Sequence, residues 1–185
     1  MLHLGTKTIE TPRLTLRRFA AGDGQAMYEN WASDPEVTKY LTWPAHGSPE
    51  ISNMVLESWI ADYQKPDFYQ WAIVLKAEED RPIGSISVVR QDKTTGTCEI
   101  GYCIGRPWWR RGIVSEALKA VMAFLFEEVG ARRVEARHDP NNPNSGAVMR
   151  KCGMIYETTL IRADRNNQGI CDACVYAISK KDRLM

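Results

Sequence analysis

The chain has 185 residues with 24 Lys and Arg against 23 Asp and Glu, a formal net charge of +1. That length fits one domain, taken here as 1–185, with room for a sheet covered by helices. Near-neutrality argues against bulk attraction to nucleic acid or an anionic membrane, so any anion site has to be local. The longest apolar run, Ala120 to Phe126, falls far short of the roughly 18 residues that a bilayer-spanning helix needs. Met1 to Lys7 lacks the charged-then-apolar pattern of a secretory signal. Cytoplasmic residence is the default expectation.

Chain order gives the elements. Arg13 to Phe19 alternates around Leu14 and Leu16 and reads as a half-buried strand. Residues 24–63 read as helical, broken at Asp34-Pro35 and from Trp43 to Gly47, with a helix start at Ser48-Pro49-Glu50. The period then changes. Gln70 to Leu75, Pro82 to Arg90 and Thr97 to Ile104 are β-rich and joined by short polar turns, which favours an antiparallel meander.

Val114, Ala117, Leu118, Val121, Met122 and Leu125 form one apolar helical stripe, stopped at Gly130. Arg132 to His138 alternates again, Asn144 to Cys152 reads as a short helix, and 154–163 with 169–178 read as a final hairpin. The order β, helices, βββ, α, β, α, ββ predicts an α/β fold. It is one mixed, mostly antiparallel twisted sheet of about seven strands with helices on both faces.

Five cysteines at 98, 103, 152, 171 and 174 do not suggest a secreted disulfide framework. Cys171 and Cys174 are three apart on a predicted strand and so face opposite sides, which argues against a shared metal. No metal is expected.

The informative segment is Trp108-Trp109-Arg110-Arg111-Gly112-Ile113-Val114-Ser115. A strand, then a basic glycine-containing turn, then an amphipathic helix is an arrangement that binds phosphate: the first helical N–H groups lack partners and the peptide dipoles favour negative charge there. Arg106, Arg110 and Arg111 concentrate positive charge beside Gly112 in a nearly neutral chain. A solvated basic loop capping a helix is the alternative reading of the same residues. Two nucleotide motifs are absent: no Gly-x-x-x-x-Gly-Lys-Ser/Thr occurs, and no Gly-x-Gly-x-x-Gly follows the first strand.

Glu99-Ile100-Gly101-Tyr102-Cys103-Ile104 followed by Trp108 to Ala117 resembles the coenzyme-binding motif of the general-control N-acetyltransferase (GNAT) superfamily. More narrowly, it resembles the ribosomal-protein N-terminal (alanine) acetyltransferase branch. Thr11-Pro12-Arg13-Leu14 and Asn142-x-x-Ser145 leading to Lys151-Cys152-Gly153 agree, so the likeness runs in order over roughly residues 10–180.

The resemblance implies an acyl-CoA N-acyltransferase fold and transfer of acetyl from acetyl-CoA directly to a primary amine. The acceptor is a peptide N-terminus or a small molecule such as a polyamine, amino acid or antibiotic; a non-catalytic acyl-CoA sensor is a further alternative, and a homodimer is compatible. For coenzyme binding it implies Cys103, Ile104, Arg106, Trp109, Arg110, Arg111, Gly112, Ile113, Val114, Ser115, Asn142, Ser145 and Met149. A backbone N–H at Cys103 or Ile104 is the expected oxyanion donor. Departures are Trp109 at a usual Gln/Arg position, Val114 at a small-residue position, and Met149 at the position of the tyrosine that many members of the family use as general acid.

Ser145 is then the candidate proton donor, or simply a helix cap. Glu99 is the candidate base acting through water, or a carboxylate paired to an arginine. His138 beside the site reads more readily as a turn cap. Trp31, Tyr40, Trp43, Tyr69 and Trp71, with Asp172 and Tyr176, are candidates for the acceptor cleft.

Overall fold

A computed structural model describes residues 1–78 and 80–182. It contains one eight-stranded sheet in the order β1-β2-β3-β4-β5-β6-β8-β7. The strands are β1 (Ile9–Glu10), β2 (Leu14–Arg17), β3 (Gln70–Leu75), β4 (Pro82–Asp92), β5 (Thr97–Ile104), β6 (Arg133–His138), β7 (Ile155–Asn166) and β8 (Gly169–Ser179). The helices are α1 (Gly24–Met27), α2 (Pro35–Thr38), α3 (Pro49–Asp62), α4 (Ile113–Phe124) and α5 (Pro143–Lys151). The expected count was about seven strands; the eighth is the two-residue β1, too short to leave an alternation signal.

The continuous apolar run of β3 has a direct structural cause. Trp71 and Ile73 join one core with Leu14, Leu16, Leu118 and Val121, whereas Ala72 and Val74 join another with Phe19, Met27, Trp31 and Leu56. A strand buried on both faces has no polar side to alternate with. The helical stripe is likewise real: Val114, Ala117, Leu118, Val121 and Met122 are all buried. The helix continues past Phe124 as a π-turn, Leu125–Val129, and ends at Gly130 with φ 76°, a left-handed stop that glycine takes without steric cost.

One pairing determines where a site can form. Every neighbouring pair is antiparallel except β5–β6, which run parallel and pair only at Thr97, Cys98 and Glu99 with Arg133, Val134 and Glu135. Beyond Glu99 the two strands separate. The second half of β5 therefore has a sheet neighbour on one side and a gap on the other. No helix among the described residues is long and apolar enough to cross a membrane.

Candidate active site

The gap opens into a cleft of about 340 Å³. Its floor is Tyr102, Cys103 and Ile104 of β5. One wall is the turn before α4, with Gly112, Ile113, Val114 and Ser115; another is α5, with Asn142, Asn144 and Ser145. Val37, Tyr40 and Leu41, at and after α2, close the far end.

Ladder register shows which backbone groups face the gap. Gly105 N–H donates to the Ile83 carbonyl at 2.9 Å, a hydrogen-bonded pair in the β4–β5 register. Alternation along an antiparallel ladder then directs Cys103 N–H to Ser85, its register partner. It turns the N–H and C=O of Tyr102 and Ile104 toward the gap. The Ile104 carbonyl does face that way, because the Trp109 indole N–H donates to it at 2.8 Å. Of the two backbone donors expected for the oxyanion, Cys103 is consumed within the sheet and Ile104 presents its N–H to the cleft. Cys103 contributes only its side chain, whose thiol burial pushes up, keeping it neutral.

The turn itself is unusual backbone. Arg110 has φ 61° and Gly112 has φ 71° with ψ 10°, so two left-handed residues precede α4. A non-glycine residue at positive φ is uncommon and marks a conformation imposed by its surroundings. Gly112 caps a helix whose first N–H groups, on Ile113, Val114 and Ser115, lie at the cleft. A Cβ at Gly112 would stand 3.5 Å from Lys151 Nζ and 3.7 Å from an Arg13 guanidinium nitrogen, so two cations outside the turn converge on it.

Arg13 also braces the turn. Its Nη1 donates to the Arg111 carbonyl at 3.0 Å and its Nε to Glu116 at 2.6 Å. Glu116 in addition accepts from Thr11 Oγ1 and from Arg13 N–H. Burial works against the charge on Glu116, yet these hydrogen bonds outweigh it and hold the carboxyl below its usual range. The Thr11-Pro12-Arg13 segment is thus a strut between the first strands and the turn.

Several expected residues fall elsewhere. Arg106 does not line the cleft; it is ion-paired with Asp34, whose other oxygen caps α2 by accepting from Glu36 N–H. Arg111 is exposed and offers the turn only its carbonyl. Met149 is 1% exposed and packs into the core beneath α5, because Gly146 and Met149 lie on the inward stripe of that helix. Arg110, Trp109, Gly112, Ile113, Val114, Ser115, Asn142 and Ser145 do line the cleft.

Glu99 lies in a separate hollow with Arg90, Arg133, Glu135 and Arg137. Its carboxylate meets Arg90 at 2.5 Å and Arg137 at 3.5 Å. The ion-paired reading of Glu99 is the one its surroundings match.

Ser145 is held by a partner that sequence reading missed. Tyr102 Oη stands 3.0 Å from Ser145 Oγ and donates to the Ser145 carbonyl at 3.1 Å. Burial raises the Tyr102 phenol well above its usual range, so it stays protonated. The β-rich segment that carries Tyr102 was legible; a partner 43 residues away was not.

Trp31, Tyr69 and Trp71 are core residues at 0%, 1% and 0% exposure. Trp43 packs at a tilt against His46, and only Tyr40 of the candidate aromatics lines the cleft. Asp172 accepts from Arg162 N–H and Tyr176 from Arg150, both away from it. His138 sits with Nδ1 2.8 Å from the Asp139 carbonyl, the turn-capping role.

A parallel strand pair that splays beside a helix N-terminus fits the acyl-CoA N-acyltransferase fold that the sequence resemblance implies. The acetyltransferase (GNAT) domain model matches residues 13–155. The chain belongs to this family and is an acetyl-CoA-dependent N-acetyltransferase.

It is 29% identical to the uncharacterized N-acetyltransferase p20 of Bacillus licheniformis, over 95% of this chain and 98% of that one. It is 33% identical to the ribosomal-protein-serine acetyltransferase of Escherichia coli over 54% of this chain and 56% of that one. A solved ribosomal L7/L12 α-N-protein acetyltransferase in complex with coenzyme A shares the fold. Its TM-score is 0.83 at 20% identity, covering 95% of this chain and 99% of that one.

Proposed function

We propose that this acetyltransferase acts on a free α-amine, such as a peptide N-terminus. The observation that carries the reading is that no Asp, Glu or His is among the described residues lining the cleft, whose charged members are Arg110 and Lys151. An α-amine titrates near about 7.7–8.0 and is partly neutral at physiological pH, whereas a lysine or polyamine nitrogen near about 10.4 needs a base. A polycation would also need carboxylates to hold its other charges. The cleft supplies neither.

In this reading the α4 N-terminus, Arg110 and Lys151 hold the pyrophosphate of acetyl-CoA. Ile104 N–H receives the charge that develops on the thioester oxygen as the amine nitrogen bonds to the carbonyl carbon. The C–S bond then breaks, Ser145 Oγ, backed by the Tyr102 phenol, protonates the departing sulfur, and the proton the amine loses returns through water to Ser145. A thiolate is a good leaving group near neutrality, since a thiol titrates at about 8.5, so a hydroxyl donor suffices.

The test is thiol release from acetyl-CoA with tetrapeptides beginning Ser, Ala or Met, against an Nα-blocked lysine peptide and spermidine. Transfer to the free N-termini is expected. Transfer to spermidine or the blocked lysine peptide alone would overturn the reading.

A further inference from the structure

Two consecutive residues at the tip of the β7–β8 hairpin hold opposite walls of the cleft. Asn166, 9% exposed, donates from Nδ2 to Asp139 Oδ2 at 2.7 Å. Asp139 also accepts from Asn141 N–H at 2.8 Å and Asn141 Nδ2 at 3.0 Å, and its carbonyl accepts Asn142 N–H at 2.8 Å. These bonds fix the turn that launches α5, the wall bearing Asn142, Asn144 and Ser145.

Asn167 reaches the other way. Its Nδ2 donates to the Thr38 carbonyl at 2.8 Å and the Trp43 carbonyl at 2.7 Å, and its N–H to the Leu41 carbonyl at 3.2 Å. Those carbonyls belong to the last residue of α2 and to the segment after it, which presents Tyr40 and Leu41 to the cleft. Outside regular structure, carbonyls must find partners one at a time, and here three converge on one residue 129 positions away from Thr38.

We propose that Asn167 is a positioning residue for the acceptor: with Asn166 it staples the α2 wall to the α5 wall and sets the width of the cleft's acceptor end. The proposal rests on the α-amine reading above. Both N–H donors of the Asn167 amide are used, and an aspartate in its place has none to offer. Without the staple, residues 38–43 must be ordered by the acceptor itself, which weakens its binding. The coenzyme end is braced separately by Arg13 and Glu116, so acetyl-CoA affinity stays unchanged.

The experiment compares the full chain with Asn167→Asp and, should that variant fail to fold, Asn167→Ala. Hydrogen exchange over residues 37–46 is expected to quicken. The KM of the best peptide acceptor should rise about fivefold or more, the scale of one or two lost hydrogen bonds, with kcat and calorimetric acetyl-CoA affinity changed by less than about twofold. Unchanged exchange overturns the staple. Faster exchange with unchanged acceptor KM overturns its positioning role, and a parallel loss of acetyl-CoA affinity reveals a general structural role instead. Wild-type protein that binds acetyl-CoA but transfers to none of the peptides overturns the α-amine reading, and this proposal with it.

Discussion

The indole N–H of Trp109 donates to the carbonyl of Ile104 across 2.8 Å, tying the end of the splayed strand to the turn that starts α4. The carbonyl would otherwise face the gap with no strand to bond. Trp109 thus aims its donor back at the protein, and in the proposed reading phosphate recognition falls to the helix N-terminus and its neighbouring cations.

Trp109→Phe keeps the ring and removes the donor. One neutral hydrogen bond contributes about 0.5–1.5 kcal/mol net, so acetyl-CoA affinity should fall by about two- to tenfold. Calorimetric titration measures it; an unchanged dissociation constant would show that the turn holds its shape without the indole.

Gly112→Asp places a carboxylate at the helix N-terminus, where Lys151 and Arg13 lie near the new side chain. It would pair with those cations and repel the pyrophosphate, so a loss of acetyl-CoA affinity of about tenfold or more is expected. The left-handed backbone adds about 1 kcal/mol or more of strain for any L side chain. Gly112→Ala is therefore the control that carries the strain without the charge. Equal affinity losses in the two variants would mean that backbone geometry, not electrostatics, governs the site.

The sheet, the striped helix and the turn before it were legible because each is written locally: alternation at Leu14 and Leu16, period 3.6 from Val114 to Leu125, glycine among arginines. The rest of the cleft depends on the fold bringing distant residues together. Val37 and Leu41 carry no local mark of their place in the cleft, and the Tyr102–Ser145 contact spans 43 residues. Motif proximity also misled. Glu99 and Cys103 are four residues apart on one strand, yet that is about 13 Å along it, enough to put Glu99 where β5 and β6 still pair. Arg106 is beside the cradle in sequence and turned toward Asp34 in space.

Tyr102→Phe and Ser145→Ala probe the proton donor in two ways. Ser145→Ala removes the proposed donor hydroxyl and should lower kcat by about ten- to a hundredfold, at the lower end of general acid effects because the leaving group is a thiolate. Tyr102→Phe leaves Ser145 in place without its partner and should cost less. Acetyl-CoA affinity should change little in either variant, and steady-state kinetics separates the two effects. A full-rate Ser145→Ala enzyme would leave thiolate departure to water.

Stability should depend on pH through His46, buried in the loop beyond α2. Its N–H donates to the Ala32 carbonyl, and its Nδ1 stands 2.8 Å from Ser52 Oγ. Burial lowers its pKa from 6.5, so the folded chain holds this ring neutral where the unfolded chain protonates it. A lowered folded pKa means that the unfolded state binds more protons. The contribution is therefore fully present above pH 6.5 and is lost as pH falls toward the folded value.

Asp139 adds a second window of the same sign at lower pH. Burial opposes its charge, but hydrogen bonds from Asn141 and Asn166 prevail and lower its pKa from 3.8; that contribution is lost as pH falls through the folded value. Thermal midpoints measured from pH 8 to pH 5 should decline below about 6.5 in the wild type and less steeply in His46→Gln. Equal slopes in the two proteins would assign the decline to another group.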